Sequence, residues 1–276
     1  MDTYVHEGLT FPVSDHRPRG ESRSVVVLLH GFPQDRRSWD AVAGALTAAG
    51  HRVLAPDQRG YSPGAAPRRR AAYTLPKLAG DVLALADAAG ADRFHLVGHD
   101  WGASVAWHLA ARHPERLRSL ACLSVPHPAA LGRALLTSGQ AIRSAYIAAF
   151  VLPVLPERYF AGRRGREWPR RAGLDSPHAE RYAARLADPD AVRGPLAWYR
   201  AIGLNPSTGP VDVPTLFMWG DGDRYVTRAA ARRCGRYVRA PYEFHVLKGA
   251  SHWLPEQAPG QVSGLLLPWL RLREAS

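Results

Sequence analysis

Cysteine is scarce in this chain: Cys122 and Cys234 are the only two among 276 residues. Cys122 falls in an apolar, strand-like run and Cys234 in a helical one, so the sequence predicts neither a disulfide framework nor a metal site. No uninterrupted apolar stretch approaches the length that crosses a bilayer. Residues 1–4 lack the basic and apolar regions of a signal peptide. We therefore expect a soluble, cytoplasmic protein without a metal or cofactor.

Lysine is equally rare, since Lys77 and Lys248 are the only two. The formal net charge of +12 therefore comes almost entirely from arginine. The arginines are spread along the chain, apart from short runs at 68–70 and 163–171, and they are not interleaved with aromatic residues on one element. This distribution favours a solvated basic surface and argues against nucleic-acid binding.

Apolar runs that predict buried strands alternate with helical patterns in two parts of the chain. The strands are predicted at 24–29, 51–57, 94–97, 117–125, 215–219 and 242–246, with poorer edge strands at 3–13. The helices are predicted at 39–46, 74–89, 104–112, 227–238 and 257–272. This order predicts an α/β fold with a mostly parallel sheet flanked by helices.

The stretch from about 126 to 210 breaks this alternation. Strand patterns vanish, proline and arginine become dense, and helical segments are predicted at 139–151, 177–187 and 190–203. We interpret 127–210 as a helical cap inserted in a core made of 1–126 and 211–276. A chain of this length with 46% hydrophobic residues can bury the core of one large domain.

A carboxylate stands where strand 94–97 passes into the next helix. The spacing Gly98-x-Asp100-x-Gly102 is that of the nucleophile elbow, a strained turn that lifts one side chain above a parallel sheet. A Cβ at either glycine is expected to collide where strand and helix cross, and Asp tolerates the positive φ of such a turn. We predict that Asp100 is the nucleophile; the alternative is a simple helix N-cap.

Two later loops supply partners for Asp100. In this fold the nucleophile, the acid and the histidine follow one another along the chain, each after the carboxyl end of a strand. Asp223 follows strand 215–219 and His252 follows strand 242–246. Asp223 is the predicted acid, with Asp221 the alternative, and His252 is the predicted base. His99, beside the nucleophile, is predicted to pack and hydrogen bond.

The loop His30-Gly31-Phe32-Pro33 follows the first buried strand. At this place the fold has its second oxyanion-hole donor, so the backbone N–H groups of Phe32 and Trp101 are the predicted donors. The alternative is an ordinary Gly-Pro turn. We also predict a cis Phe32–Pro33 bond, because a tight turn must direct the Phe32 amide inward.

A carboxylate nucleophile forms an ester of the protein itself, which the histidine and the acid then hydrolyse with activated water. Attack on a saturated carbon needs a leaving group. Halide leaves unaided and requires N–H donors. An epoxide oxygen becomes an alkoxide and requires an acid.

The chain resembles the epoxide hydrolase branch of the α/β-hydrolase superfamily over essentially its whole length. The similar segments are His30-Gly31-Phe32-Pro33, Asp57-Gln58-Arg59-Gly60-Tyr61-Ser62, Gly98-His99-Asp100-Trp101-Gly102, Trp219-Gly220-x-x-Asp223 and Ser251-His252-Trp253. The resemblance implies an α/β-hydrolase fold, a small-molecule epoxide as substrate and two cap tyrosines that activate the ring oxygen. Tyr199, in Leu196-Ala197-Trp198-Tyr199-Arg200, and more loosely Tyr146 match these tyrosines.

Two other functions are weighed against epoxide hydrolysis. Haloalkane and haloacetate dehalogenases share most of these motifs; in that case the Trp101 indole donates to the halide, although Phe32 in place of a polar side chain argues against it. A catalytically silent hydrolase-fold binding protein is the other alternative. The sequence also leaves a homodimer open.

Overall fold

The computed structural model describes residues 1–274. Within them one eight-stranded sheet runs in the order β1-β2-β4-β3-β5-β6-β7-β8. Pairing is antiparallel from β1 to β2 and from β2 to β4, and parallel across the rest of the sheet. The strands are β1 (Thr3–His6), β2 (Leu9–His16), β3 (Val25–Leu29), β4 (Arg52–Pro56), β5 (Phe94–His99), β6 (Leu117–Leu123), β7 (Thr215–Gly220) and β8 (Tyr242–Leu247).

Helices cover both faces of the sheet and fill the connection between β6 and β7. Outside that connection they are α1 (Asp40–Ala48), α2 (Leu75–Ala88), α3 (Trp101–Arg112), α12 (Arg228–Arg233), α13 (Leu254–Gln257) and α14 (Pro259–Arg271). Inside it they are α4 (Pro128–Thr137), α5 (Gln140–Arg143), α6 (Tyr146–Phe150), α7 (Leu155–Ala161), α8 (Arg163–Arg166), α9 (Trp168–Arg171), α10 (Ser176–Leu186) and α11 (Pro189–Arg200). Short 3₁₀ helices span Arg36–Trp39, Pro63–Ala65, Arg70–Tyr73, Pro114–Arg116, Ile202–Leu204 and Cys234–Tyr237.

The core has one apolar layer on each face of the sheet. On one face, α2, α3 and α12 pack through side chains such as Leu78, Leu85 and Leu109. On the other face, α1 and α14 pack through side chains such as Leu46 and Leu266. The central strands are buried on both faces, which explains their continuous apolar sequences. The predicted mostly parallel sheet with flanking helices is confirmed.

The segment between β6 and β7 holds more helices than its sequence predicts. Helices α4, α7, α8 and α9 were not anticipated, and the predicted helix at 139–151 is divided into α5 and α6. Pro128, Pro156 and Pro169 each occupy the first turn of a helix, where the missing N–H has no intrahelical acceptor. The density of proline there marks helix starts. We propose that 127–210 forms a cap on the core.

Two boundaries elsewhere also differ from the sequence expectation. The helix predicted at 227–238 ends at Arg233 and continues as a 3₁₀ helix to Tyr237. The elbow helix begins three residues earlier than its apolar pattern, at Trp101. In addition, no helix within residues 1–274 is long and apolar enough to cross a membrane.

Candidate active site

Asp100 occupies the sharp turn between β5 and α3. Its backbone has φ 52° and ψ −118°, and its side chain makes no capping hydrogen bond to α3, which argues against the N-cap alternative. A Cβ on Gly98 would lie 2.3 Å from the carbonyl oxygen of Gly102, and a Cβ on Gly102 would lie 2.2 Å from that of Leu29. The predicted steric need for both glycines is confirmed. The turn therefore holds the carboxylate above the carboxyl end of the sheet.

Replacing Gly98 with Ala is expected to destabilise the protein strongly, because the atoms that the new methyl group meets belong to backbone and cannot rotate away. We expect the free energy of unfolding to fall by about 3 kcal/mol, a loss of roughly 6–12 °C in Tm. Gly132→Ala in α4 is the matched control, since no atom lies within 4 Å of its added Cβ. Thermal unfolding of both variants checks this; equal Tm values would contradict the steric argument.

His252 lies between two carboxylates. Its Nδ1 is 2.8 Å from Asp223 Oδ2, and its Nε2 is 3.5 Å from Asp100 Oδ2. Asp223 is fixed in turn, because its Oδ1 accepts hydrogen bonds from the amides of Tyr225 and Val226 at 2.7 and 2.9 Å. The structure thus brings together the three residues predicted from their order in the chain.

The alternative acid, Asp221, does not reach His252. Its Oδ1 instead accepts a hydrogen bond from the Gly249 amide at 2.7 Å, at the exposed side of the loop. The geometry therefore favours Asp223 over Asp221 as the partner of His252.

The charges in this cluster reinforce one another. Burial disfavours the charged His252 ring, but the charge of Asp223 and the hydrogen bonds to both carboxylates outweigh burial and raise the pKa of His252 to about 10. Burial likewise opposes ionisation of Asp100, but the nearby His252 and the Phe32 amide lower the pKa of Asp100. The raised pKa keeps the His252 ring protonated at neutral pH, between the side chains of Asp100 and Asp223.

The loop after β3 contacts the carboxylate of Asp100 directly. The Phe32 amide donates to Asp100 Oδ1 at 2.8 Å, and the Phe32–Pro33 bond is cis, as predicted. Trp101 is the first residue of α3, where a backbone N–H has no intrahelical acceptor. Gly31 was overlooked in the sequence: a Cβ there would lie 2.3 Å from the Cβ of Asp100. Glycine is required because the two loops approach this closely.

Both predicted cap tyrosines line the same cavity as Asp100. This cavity measures about 440 Å³, and the ring centroids of Tyr146 and Tyr199 are 6.3 Å apart within it. Burial, followed by the charge of Asp100, raises the pKa of Tyr146 well above its usual value. Burial also raises the pKa of Tyr199, with smaller contributions from Tyr146 and Asp100. Both phenols are therefore protonated at neutral pH.

Helix α11, which carries Tyr199, is fixed to the core by its neighbours. The Trp198 indole Nε1 donates to the Arg59 carbonyl oxygen at 2.8 Å. Gly194 crosses Gly60 so closely that a Cβ on Gly194 would lie 2.3 Å from the Gly60 oxygen. The segment Asp57-Gln58-Arg59-Gly60-Tyr61-Ser62, noted above only as a motif, thus helps to set the position of Tyr199.

A buried chain of hydrogen bonds behind His252 was not foreseen. His99 Nε2 is 2.8 Å from the His252 carbonyl oxygen, and His99 Nδ1 is 2.7 Å from Gln34 Oε1. Gln34 Nε2 donates to Glu256 Oε2 at 2.7 Å, and the Tyr182 hydroxyl donates to Glu256 Oε1 at 2.5 Å. The hydrogen-bonding role predicted for His99 is confirmed. The chain connects the backbone of the candidate base to α10.

Tyr225 is a further aromatic neighbour of this cluster that the sequence did not single out. Its ring centroid is 4.9 Å from that of His252 and 5.6 Å from that of Tyr146. It lies two residues after Asp223, so its proximity follows from the loop that positions the acid. Within residues 1–274 no group of three or more His, Cys, Asp or Glu side chains is arranged to hold a metal ion.

Comparison with known proteins places this chain in a family. The family described as the alpha/beta hydrolase fold matches residues 24–259. Epoxide hydrolase A of Mycobacterium tuberculosis is 34% identical, over 89% of this chain and 90% of the relative. The chain belongs to the epoxide hydrolase branch of the α/β-hydrolase superfamily. The AB hydrolase superfamily protein YfhM of Bacillus subtilis is 33% identical, over 91% of each chain.

Solved structures agree with the assignment of this hydrolase to the epoxide hydrolase branch. Epoxide hydrolase A from Mycobacterium thermoresistibile superposes with a TM-score of 0.82 at 28% identity, covering 98% of this chain and 97% of that one. An epoxide hydrolase from metagenomes of hot environments gives a TM-score of 0.85 at 27% identity, covering 97% of both chains. The predicted α/β-hydrolase fold is therefore confirmed.

Proposed function

We propose that this hydrolase converts an epoxide to a vicinal diol through an ester on Asp100. One carboxylate oxygen of Asp100 attacks a ring carbon, and the carbon–oxygen bond of the ring breaks. The ring oxygen leaves as an alkoxide and takes a proton from Tyr199 or Tyr146. The product of this step is a hydroxyalkyl ester of Asp100 and a tyrosinate.

Water then cleaves the ester in the second half of the reaction. His252 accepts the proton of the attacking water, and the Phe32 and Trp101 amides stabilise the oxyanion that forms on the ester carbonyl. The intermediate collapses by releasing the diol oxygen, which takes the proton back from His252. This leaves Asp100 as a carboxylic acid, whose proton passes to His252, so that the Asp100 carboxylate and the protonated His252 ring of the free protein are both regenerated.

The charge cluster explains how His252 becomes a base at the right moment. In the free protein, two carboxylates hold the His252 pKa at about 10, so the ring is protonated. Esterification removes the charge of Asp100 and with it part of that stabilisation, which lowers the His252 pKa. The ring can then release its proton to solvent, from which the tyrosinate is reprotonated. Formation of the ester thus prepares its own hydrolysis.

The observation that carries the proposal is the shared cavity of Asp100, Tyr146 and Tyr199. Two phenols in one cavity with a carboxylate supply the proton donor that an epoxide oxygen requires, because that oxygen leaves as a strong base. A halide needs no proton donor. The side chain of Phe32 packs against the rings of Phe150 and Tyr199 with centroids 5.5 Å away, so it offers no hydrogen-bond donor to a halide.

Diol formation from a panel of small epoxides tests this function, and Tyr199→Phe tests the assigned acid. We expect diol from at least one epoxide and a drop of about 10²-fold in kcat/KM for the variant, because proton donation typically contributes that much or more. Tyr159→Phe is the matched control, since Tyr159 is a 41% exposed tyrosine of the same cap. Unchanged rates in Tyr199→Phe on every epoxide would remove Tyr199 from the mechanism, and halide release without diol would favour a dehalogenase.

A further inference from the structure

The cavity in front of Asp100 is larger than an epoxide ring requires. It measures about 440 Å³, whereas a cavity of about 150 Å³ accommodates benzene. Its walls are largely apolar, with contributions from Leu75, Val125, Leu131, Ile147 and Ile202. A substrate that fills this space carries a substantial apolar substituent on the ring.

Charge restricts that substituent further. Among the described residues that line the cavity, Asp100 is the only charged one, although the chain contains 36 lysines and arginines. The described cavity wall therefore offers a substrate carboxylate no cation to pair with, because His252 already contacts both Asp100 and Asp223. The cavity is suited to an uncharged molecule.

Polar side chains nevertheless occur along one side of the cavity. Ser104 lies in the first turn of α3, where its amide donates to the Asp100 carbonyl oxygen at 3.2 Å, and both residues line the cavity. Ser207 and Thr208 line the cavity from the loop before β7, and the Thr208 hydroxyl is buried without a hydrogen-bond partner in residues 1–274. Asn205 Oδ1 accepts from the Leu75 amide at 2.7 Å, which leaves its NH₂ group available to a ligand.

Unpaired polar groups beside an apolar wall are what fixes the orientation of a ligand in a binding cavity. Ser104 has no side-chain hydrogen bond within the described part of the chain. Its hydroxyl can donate and accept, the Thr208 hydroxyl can do the same, and the Asn205 amide can donate. Together they suit a neutral oxygen-containing group such as an amide, a hydroxyl or an ether.

We infer that the substrate is an uncharged epoxide with a largely apolar body and a neutral hydrogen-bonding group, which Ser104 binds together with Asn205 and Thr208. This inference rests on the proposed epoxide hydrolysis and specifies its substrate class. Because Ser104 and Asp100 line the same cavity and are joined through the first backbone hydrogen bond of α3, the polar group is placed close to the ring.

Three epoxides of equal length test the inference. They share one apolar chain and end in a primary amide, in a carboxylate or in a branched alkyl group of the same shape. We expect kcat/KM for the amide to exceed that for the alkyl compound by about 3–10-fold, the usual contribution of a neutral hydrogen bond. We expect it to exceed that for the carboxylate by at least about tenfold, because of repulsion from Asp100.

Ser104→Ala is expected to bring the amide-to-alkyl ratio close to 1, and Ser104→Thr, which restores the hydroxyl, is expected to recover the preference. Ser14→Ala on β2, outside the cavity, is the matched control and is expected to leave the ratio unchanged. Turnover of all three epoxides at similar rates, or preference for the carboxylate, would overturn the inference and leave epoxide hydrolysis intact. Absence of turnover with any epoxide would overturn both.

Discussion

His252→Gln is expected to stop the reaction halfway and leave the substrate attached to Asp100. Glutamine can still hydrogen bond to Asp223, but it cannot take a proton from water, so the ester forms and is not hydrolysed. Steady-state turnover is expected to fall by about 10⁴-fold or more. Mass spectrometry of the intact protein after exposure to an epoxide should show an increase equal to the mass of one substrate. Peptide mapping should place that increase on Asp100.

The control for this experiment is His113→Gln, since the His113 side chain is 44% exposed. It is expected to turn over epoxide normally and to accumulate no adduct. If haloalkanes form an adduct and epoxides do not, Asp100 is the nucleophile of a dehalogenase and not of an epoxide hydrolase. Diol formation by His252→Gln at the parent rate, with no adduct, would contradict the assignment of His252 as the base.

The elements around this cluster were predictable because parallel strands share one direction. Their carboxyl ends meet at one edge of the sheet, so loops after β5, β7 and β8 converge there whatever the intervening sequence. The order of Asp100, Asp223 and His252 along the chain was therefore enough to predict that they lie close together. The steric cause of the glycine spacing is only partly local: Gly98 approaches Gly102 within the turn, whereas Gly102 approaches the Leu29 carbonyl oxygen of β3.

The cap was less predictable, because its helices are short and begin with residues that usually signal loops. Proline is compatible with the first turn of a helix, but in a sequence it usually indicates a turn or the end of a helix. Helices α5, α6, α8 and α9 contain only four or five residues each. Such segments are stabilised by tertiary packing, which a local pattern does not contain.

The hydrogen-bonded chain behind His252 could not be found from the sequence for a different reason. Gln34 and Glu256 are 222 residues apart, and neither belongs to a motif that specifies a partner. Their contact depends on how the loop after β3 and helix α13 meet in the fold. Gly31 likewise belongs to the motif His30-Gly31-Phe32-Pro33, but nothing in that motif specifies its close approach to Asp100.

Asp100→Asn is expected to abolish turnover while leaving the substrate cavity intact. Asparagine tolerates the positive φ of 52° at this position nearly as well as aspartate, so the elbow should keep its shape. The amide lacks the negative oxygen that attacks the ring carbon, and kcat/KM is expected to fall by at least about 10⁴-fold. Hydrolysis of the introduced side-chain amide would restore aspartate, so the intact mass of the variant is measured at the time of assay.

Asp221→Asn is the matched control for this variant. Its side-chain oxygen can still accept the hydrogen bond from Gly249, and the residue lies outside the cavity, so activity is expected to change less than about twofold. A binding measurement distinguishes loss of the chemical step from loss of the folded cavity. Epoxide or diol should raise the Tm of Asp100→Asn as it raises that of the parent. If Asp100 is the nucleophile, the variant cannot form the ester intermediate. Turnover within about tenfold of the parent would therefore mean that a group other than Asp100 attacks the ring.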